Sequence, residues 1–327
     1  MRAPAAGRRL SLPLGLLMAV STCQASPAAD PAGRMKVFGP DDRAAVADTT
    51  QFPWSAIGLV VAYYDLSVLS GTGVMISDRV VLTCGHVVHD PSLGTPRSVV
   101  FIPGKNGPSE PFGRFAAASV AIRQEWLSGG DDRYDIALLD LGAAVGSLTG
   151  RFDAAARPLS FFDGRVLNMA GYPSDRSPDD RLYAAAGEVR RVQDSLVLHR
   201  IDGGHGQSGG PIWVDEGSGR STVVAVYTGE VEEFIGGQLV DAYNVGVYIS
   251  PVLCAWINDF LRQTDPSAGT ACADEAAGPA PLWGLCGFGA VQAVAGGTLA
   301  WAMSAGLGCA GRRRPGASAA GSRFTRG

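Results

Sequence analysis

The chain has 327 residues, of which 46% are hydrophobic and 18% charged, with 44 glycines, 20 prolines and a formal net charge of −4. That length supplies one large or two medium domains with ample core. The slightly acidic balance excludes the basic face expected of a nucleic-acid binder, and many short apolar runs between glycines and prolines favour an all-β protein.

The N-terminus carries Arg2, Arg8 and Arg9, then apolar Leu10 to Val20, then small residues to Ala25. This is the layout of a secretory signal peptide over residues 1–25. A lipoprotein cut before Cys23 is the weaker alternative, because Thr22 is larger than the usual preceding residue. Residues 26–36 read as a short propeptide ending in Arg34-Met35-Lys36, so cleavage after Lys36 would free Val37.

From residue 37 to 264 the pattern predicts short strands at Ala56–Tyr63, Gly71–Ile76, Val80–Thr83, Ser98–Ile102, Ala117–Arg123 and Ile136–Leu141. A second set follows at Val166–Gly171, Leu182–Val189, Leu196–Ile201, Pro211–Val214, Thr222–Thr228 and Tyr243–Ile249. Each is β-branched or apolar and bounded by Gly, Pro, Asp or Ser. Two sets of six imply two six-stranded barrels joined by Gly142 to Pro158. Pro251 to Arg262 reads as a terminal helix, with proline at its start and a broad apolar face. Residues 265–281 form a Pro/Ala/Gly-rich linker.

Leu282 to Ala310 carries no charged side chain, and Arg312-Arg313-Arg314 follows. A run of this length over residues 282–311 can span a bilayer. The arginines would then hold a basic tail, 312–327, on the cytoplasmic side. Of the six cysteines, Cys23 falls in the signal peptide and Cys286 and Cys309 in the C-terminal segment. Among Cys84, Cys254 and Cys272, pairing Cys254 with Cys272 is the simplest choice, which leaves Cys84 a buried thiol. The spacing does not settle the connectivity.

Three segments carry chemistry. Gly206-Gln207-Ser208-Gly209-Gly210-Pro211 precedes a strand-like run, and its glycines permit a tight turn that lifts Ser208 clear of the backbone. His86 follows the apolar strand Val80–Thr83, and Asp135 opens Ile136-Ala137-Leu138-Leu139. A serine hydroxyl needs a base to take its proton, and a buried carboxylate needs a donor, which a histidine supplies. Ser208 is therefore the candidate nucleophile, His86 the general base and Asp135 its orienting partner. Asp131, Asp132 and Asp140 are rivals to Asp135: the first two sit in a polar loop and the third follows the strand. The backbone amides of Gly206 and Ser208 would form an oxyanion hole. Cys84, His86 and His89 could be read as metal ligands, but no second cluster has metal-site spacing. No metal or organic cofactor is expected.

The stretch from Val37 to Arg262 resembles the glutamyl-endopeptidase-like, staphylococcal-type branch of the chymotrypsin/trypsin-like serine protease family. The resemblance rests on Val37-Phe38-Gly39-Pro40-Asp41-Asp42-Arg43, Pro53-Trp54, Gly71-Thr72-Gly73, Ala170-Gly171-Tyr172-Pro173 and Gly206-Gln207-Ser208-Gly209. It implies two six-stranded antiparallel β-barrels with a C-terminal helix, and serine endopeptidase activity carried by His86, Asp135 and Ser208 on a protein or peptide substrate. It also implies that the mature N-terminus, Val37, lies near the substrate pocket. The neutral Gln207 stands where trypsin-like zymogens place an aspartate for the new ammonium, so activation would use other contacts. Tyr227, followed by Thr228, occupies the position of the histidine that partners a substrate glutamate. Asp202 falls at the pocket floor and His205 on its rim. Strict glutamate preference is thus disfavoured.

Gly296-Gly297-Thr298-Leu299-Ala300-Trp301, the apolar run and the arginine cluster resemble a bacterial Gly-Gly sorting tail processed by a rhomboid-type peptidase. A plain transmembrane anchor is the alternative. The rival functions are a catalytically silent binding protein on the same fold, which would lack a triad residue, and a surface adhesion module, which would show repeats.

Overall fold

Fully apolar runs of four to eight residues become strands here because both of their faces find cover. In the computed structural model, which describes residues 36–176, 179–269, 271–276 and 322–326, a two-residue strand β1 (Ala44–Ala45) precedes the first barrel. That barrel is built from β2 (Ile57–Tyr63), β3 (Val68–Met75), β4 (Val80–Thr83), β5 (Ser98–Pro103), β6 (Phe115–Ala116), β7 (Ser119–Ile122) and β8 (Ala137–Asp140). Its order is β6-β5-β2-β3-β4-β8-β7. The segment from β6 to β7 draws the two ends of the sheet together: Ala117 N–H donates to Val99 O at 2.8 Å and Ala118 N–H to Asp140 O at 2.7 Å. Every residue of β4 and β8 is buried, so these strands form the spine of the barrel.

The second barrel uses β9 (Asp153–Ala156), β10 (Val166–Gly171), β11 (Tyr183–Gln193), β12 (Leu196–His199), β13 (Pro211–Gly217), β14 (Arg220–Ile235) and β15 (Gln238–Tyr248), with β16 (Cys272–Asp274) and β17 (Ser322–Arg326) added. The path β13-β10-β11-β12-β15-β14 closes on itself through β13–β14 pairing, giving the expected six-stranded antiparallel barrel. β9 then joins β14 in parallel and β16 joins β9, while β1 pairs with β11. Trp213 seals the core edge-on against Trp54 and Phe152, at centroid distances of 6.0 and 5.6 Å. Among the described residues the α-helices are α1 (Gly85–Val88), α2 (Gln124–Gly129), α3 (Gly146–Thr149) and α4 (Pro251–Thr264).

The two-barrel expectation holds, and β4 and β10 coincide with their predicted ranges. The final helix α4 also forms. Its Ser250 cap accepts the Leu253 N–H, proline occupies the first turn, and Leu253, Cys254, Ile257 and Leu261 are buried. Three differences matter. First, β14 and β15 extend past the barrel as a hairpin over Gly236-Gly237, where acidic residues had hidden the strand pattern. Second, the stretch read as a linker from 265 contributes β16. Cys272 is bonded to Cys254, and Asn258 both donates to Cys272 O at 2.8 Å and accepts its N–H at 3.1 Å. Third, part of the tail read as cytoplasmic forms β17, antiparallel to β14 with Arg326 opposite Gly229 and Ser322 opposite Glu233. That side of β14 lies beyond the end of β13 and is open to a further strand. The segments read as a signal peptide, 1–25, and as an apolar span, 282–311, lie outside the described residues. Among the described residues no helix is long and apolar enough to cross a membrane.

The Cys254–Cys272 bridge closes a loop with a sequence separation of 18. Restricting a loop of that size in the unfolded chain contributes about 3 kcal/mol. A Cys254→Ala/Cys272→Ala variant is expected to lose about that much in urea-unfolding measurements, and an unchanged midpoint would refute the estimate.

Candidate active site

Strand register brings the histidine and the aspartate together. β4 pairs antiparallel with β8 so that Thr83 faces Ala137. The residues just beyond each strand, His86 in α1 and Asp135, therefore meet at one end of the first barrel. His86 Nδ1 lies 2.6 Å from Asp135 Oδ2, and the His86 backbone N–H donates to Asp135 Oδ1 at 2.8 Å. Asp135 is fully buried, so both oxygens face donors of one residue. A carboxylate placed this way fixes the tautomer that carries hydrogen on Nδ1 and leaves Nε2 as the acceptor. The rival carboxylates are engaged elsewhere: Asp131 pairs with Arg133 and Asp140 with Arg79, and Asp132 lies in the short turn before Asp135.

Ser208 sits on the loop between β12 and β13. Its carbonyl accepts the Thr72 N–H at 2.7 Å, and the Thr72 hydroxyl donates to Gly206 O at 2.9 Å while accepting the Tyr172 N–H at 3.1 Å. Thr83, three residues before His86, donates its hydroxyl to Thr72 O at 2.7 Å. Gly209 N–H donates to Tyr227 O at 2.8 Å. Gly209 has φ +86°, and a Cβ there would collide with Thr72 O and the Thr83 hydroxyl, so only glycine fits. A Cβ on Gly71 would stand 2.5 Å from Val87 in α1 and 2.9 Å from Ser208 O. The serine loop and the histidine helix thus pack against the same point of β3, at Gly71. Ser208 Oγ and His86 Nε2 are both buried, and neither has a hydrogen-bond partner among the described residues.

The expected substrate residues separate into two groups. Asp202 turns its carboxylate to the N-terminal segment. Its Oδ1 accepts the Phe38 N–H at 2.7 Å and its Oδ2 the Asp42 N–H at 3.0 Å, so it anchors the N-terminal segment. His205 is half-buried, and its carbonyl accepts the Ser174 N–H at 2.8 Å. Tyr227 is fully buried with its hydroxyl unbonded among the described residues. Its ring lies 5.8 Å from that of His199, whose pKa burial depresses to about 3, leaving it neutral. Thr228 is buried, and its hydroxyl donates to Val245 O at 3.4 Å. Val37 is exposed and follows Lys36, whose carbonyl accepts from Asn244 Nδ2 at 2.7 Å and Gly203 N–H at 3.2 Å.

Two further residues hold this region. Arg43 is buried between Asp41 and Asp175 and holds Asp41 down to about 2. Its guanidinium occupies the space a Cβ on Gly204 would need, so it packs directly on the loop that leads to Ser208. Gln207 is fully buried with neither end of its amide bonded among the described residues. The free thiol Cys84 donates to Tyr227 O at 3.0 Å, and burial pushes its pKa up. Ligand atoms of Cys84, His86 and Asp135 lie within 4.8 Å of one another, but each is already committed to the hydrogen bonds described above.

Comparison with known proteins agrees with this geometry. Residues 71–226 match the trypsin-like peptidase domain family. The chain is 30% identical over 231 residues to a glutamyl endopeptidase of Bacillus licheniformis, covering 69% of each. It is 24% identical over 216 residues to a protein of Bacillus subtilis named an extracellular metalloprotease, covering 65% of this chain and 66% of that one. The fold matches a solved Glu endopeptidase with a TM-score of 0.58 at 23% identity, covering 69% of this chain and 99% of that structure.

Replacing Thr72 by valine keeps the shape and deletes one donor and one acceptor. Thr72→Val is expected to cost about 1–3 kcal/mol of stability and to speed hydrogen exchange at the Gly209 amide. Unchanged exchange there would show that the loop does not depend on this hydroxyl.

Proposed function

Because this chain belongs to the trypsin-like peptidase family and is a serine endopeptidase, we propose that it cleaves peptide bonds through an acyl-enzyme on Ser208, with His86 as general base and Asp135 as the orienting carboxylate. The observation that carries this reading is the two-point contact of Asp135 with His86, at 2.6 and 2.8 Å, together with a buried Ser208 hydroxyl that has no hydrogen-bond partner among the described residues. In the reaction, His86 Nε2 takes the Ser208 proton as Oγ attacks the substrate carbonyl, then delivers it to the leaving amine. Asp135 remains ionised and stabilises the imidazolium. The Gly206 and Ser208 amides stabilise the oxyanion, a contribution worth about 100- to 1000-fold per donor. The silent-binder alternative would lack a triad residue, and the chain carries His86, Asp135 and Ser208.

We further propose export of the chain, with the signal peptide removed and the apolar C-terminal segment serving as membrane anchor or sorting element. Anchoring with a cytoplasmic tail and the pairing of β17 with β14 exclude one another for a single chain, so they would describe two states. Cleavage after Lys36 would create the mature N-terminus at Val37. Two features support placing that terminus near the substrate: the clamp of Asn244 and Gly203 on Lys36 O, and Asp202 holding Phe38 N–H. Gln207 plays no part in receiving the new ammonium in this scheme.

A fluorophosphonate probe should label wild-type protein at Ser208 and fail to label Ser208→Ala. Asp135→Asn should retain the fold and lower kcat by on the order of 10⁴-fold. Labelling of Ser208→Ala, or full activity in Asp135→Asn, would overturn the triad. Blocking cleavage with an Arg34→Gln/Lys36→Gln double variant should prevent the appearance of a Val37 N-terminus and lower activity. Undiminished activity would overturn the processing step.

A further inference from the structure

The mechanism above leaves the acidic stretch of β14 without a task. Glu230 and Glu232 are two residues apart on one strand, so their side chains project from the same face. Glu230 is 4% exposed, an unusual burial for a carboxylate. Lys36 reaches them both, with its ammonium 2.6 Å from Glu232 Oε1 and 3.9 Å from Glu230 Oε2. The Lys36 backbone is also seated. Its N–H donates to Asn244 Oδ1 at 3.0 Å, and its carbonyl accepts from Asn244 Nδ2 and Gly203 N–H. Asn244 stands directly opposite Glu230 in the ladder. The Tyr227 hydroxyl, buried and unbonded among the described residues, fills the space where a Cβ on Gly203 would stand. It therefore abuts the same seat. A lysine held at its backbone and at its ammonium is a bound basic side chain, supplied by the chain itself.

A second observation says that this part of β14 accepts an extended peptide. β13 leaves the nucleophile loop paired with β14, Pro211 facing Val226. Past Tyr227 the same edge of β14 carries β17 instead, from Gly229 to Glu233. β17 runs antiparallel to β14, so its C-terminal end points at the Ser208 loop. A peptide lying there in that direction presents its carbonyl end to the nucleophile. The occupying segment is again basic, and the register puts Arg323 across from Glu232 and Arg326 across from Gly229.

Resting on the peptidase reading, we propose that Glu230 and Glu232, with Asn244 and the Tyr227 hydroxyl, form a subsite for a lysine or arginine side chain of the substrate, on the N-terminal side of the scissile bond. In the uncleaved chain Lys36 fills it, and cleavage after Lys36 vacates it. The acid available to a basic substrate is thus on β14 and not at Asp202, whose two oxygens are spent on backbone amides. Competition from Lys36 makes the subsite a property of the mature form.

The test uses the form that begins at Val37 and a positional peptide library with lysine, norleucine or glutamate at each residue up to and including the one whose carbonyl is attacked. Fluorophosphonate labelling of Ser208 is run on the same preparation. Lysine should exceed norleucine in kcat/KM at one such position by about 10- to 100-fold, the range for hydrogen bonds to charged groups. The ratio should fall toward one in Glu230→Gln/Glu232→Gln. Glu232→Gln alone, at a half-exposed position, should lower it partway, and Glu232→Lys should turn the preference toward glutamate at that position. Labelling of Ser208 with a lysine-to-norleucine ratio near one everywhere overturns the subsite and leaves the peptidase reading standing. A ratio that survives in Glu232→Gln and in the double variant also overturns it. Absence of labelling overturns the peptidase reading and the subsite with it.

Discussion

One threonine couples the two barrels at the place where they must agree. Thr72 lies on β3 of the first barrel, yet its N–H and hydroxyl bind carbonyls of the Ser208 loop, and its own carbonyl accepts from Thr83 just ahead of His86. The serine loop and the histidine helix are therefore referenced to the same peptide unit. Each bond is worth only about 1 kcal/mol net, but together they fix a distance between segments more than 100 residues apart. Positioning to within a fraction of an ångström is what converts a serine and a histidine into reacting partners.

The N-terminal segment does similar work from the other side. Asp202 captures two backbone amides of that segment, and Arg43, buried between two aspartates, presses on the glycines before Ser208. Breaking a buried pair of this kind by removing one partner leaves an uncompensated charge and is costly. The arrangement ties the state of the chain near residue 37 to the loop that carries Ser208. Gln207 has no charge to offer, and this electrostatic clamp stands in a different place from the one an aspartate at that position would use.

Much of the barrel was legible because its strands are apolar on both faces. Val80–Thr83 holds only apolar or β-branched residues, and Val166–Gly171 alternates outward Val166 and Asn168 with buried Leu167 and Met169, so the ends of both were readable. The histidine–aspartate contact was legible for a related reason: each residue adjoins a buried strand, and those strands pair. The outer half of β14 was not legible, because Glu230-Val231-Glu232-Glu233 reads as a solvated charge run unless Lys36 and the neighbouring strand are known. Helix α1 is a single turn, too short for any periodicity. The partners of Asp202 were not legible for a physical reason. A position near the nucleophile says nothing about which donors reach the carboxylate, and here they are main-chain amides contributed from a distant segment. Arg43 and Asn244 had no local signal, since each acts through residues far along the chain.

The covalent staple at the end of the domain has a consequence for when this molecule becomes rigid. Cys272 stands beyond α4, and its strand completes the sheet next to β9. Under the proposed export, the link cannot close until nearly all of the second barrel has emerged, and a thiol pool on the inner side of the membrane would keep it open. In the export proposed above the crosslink is a timing device as well as a brace: the final lock on the domain closes only after the chain has left the reducing side of the membrane.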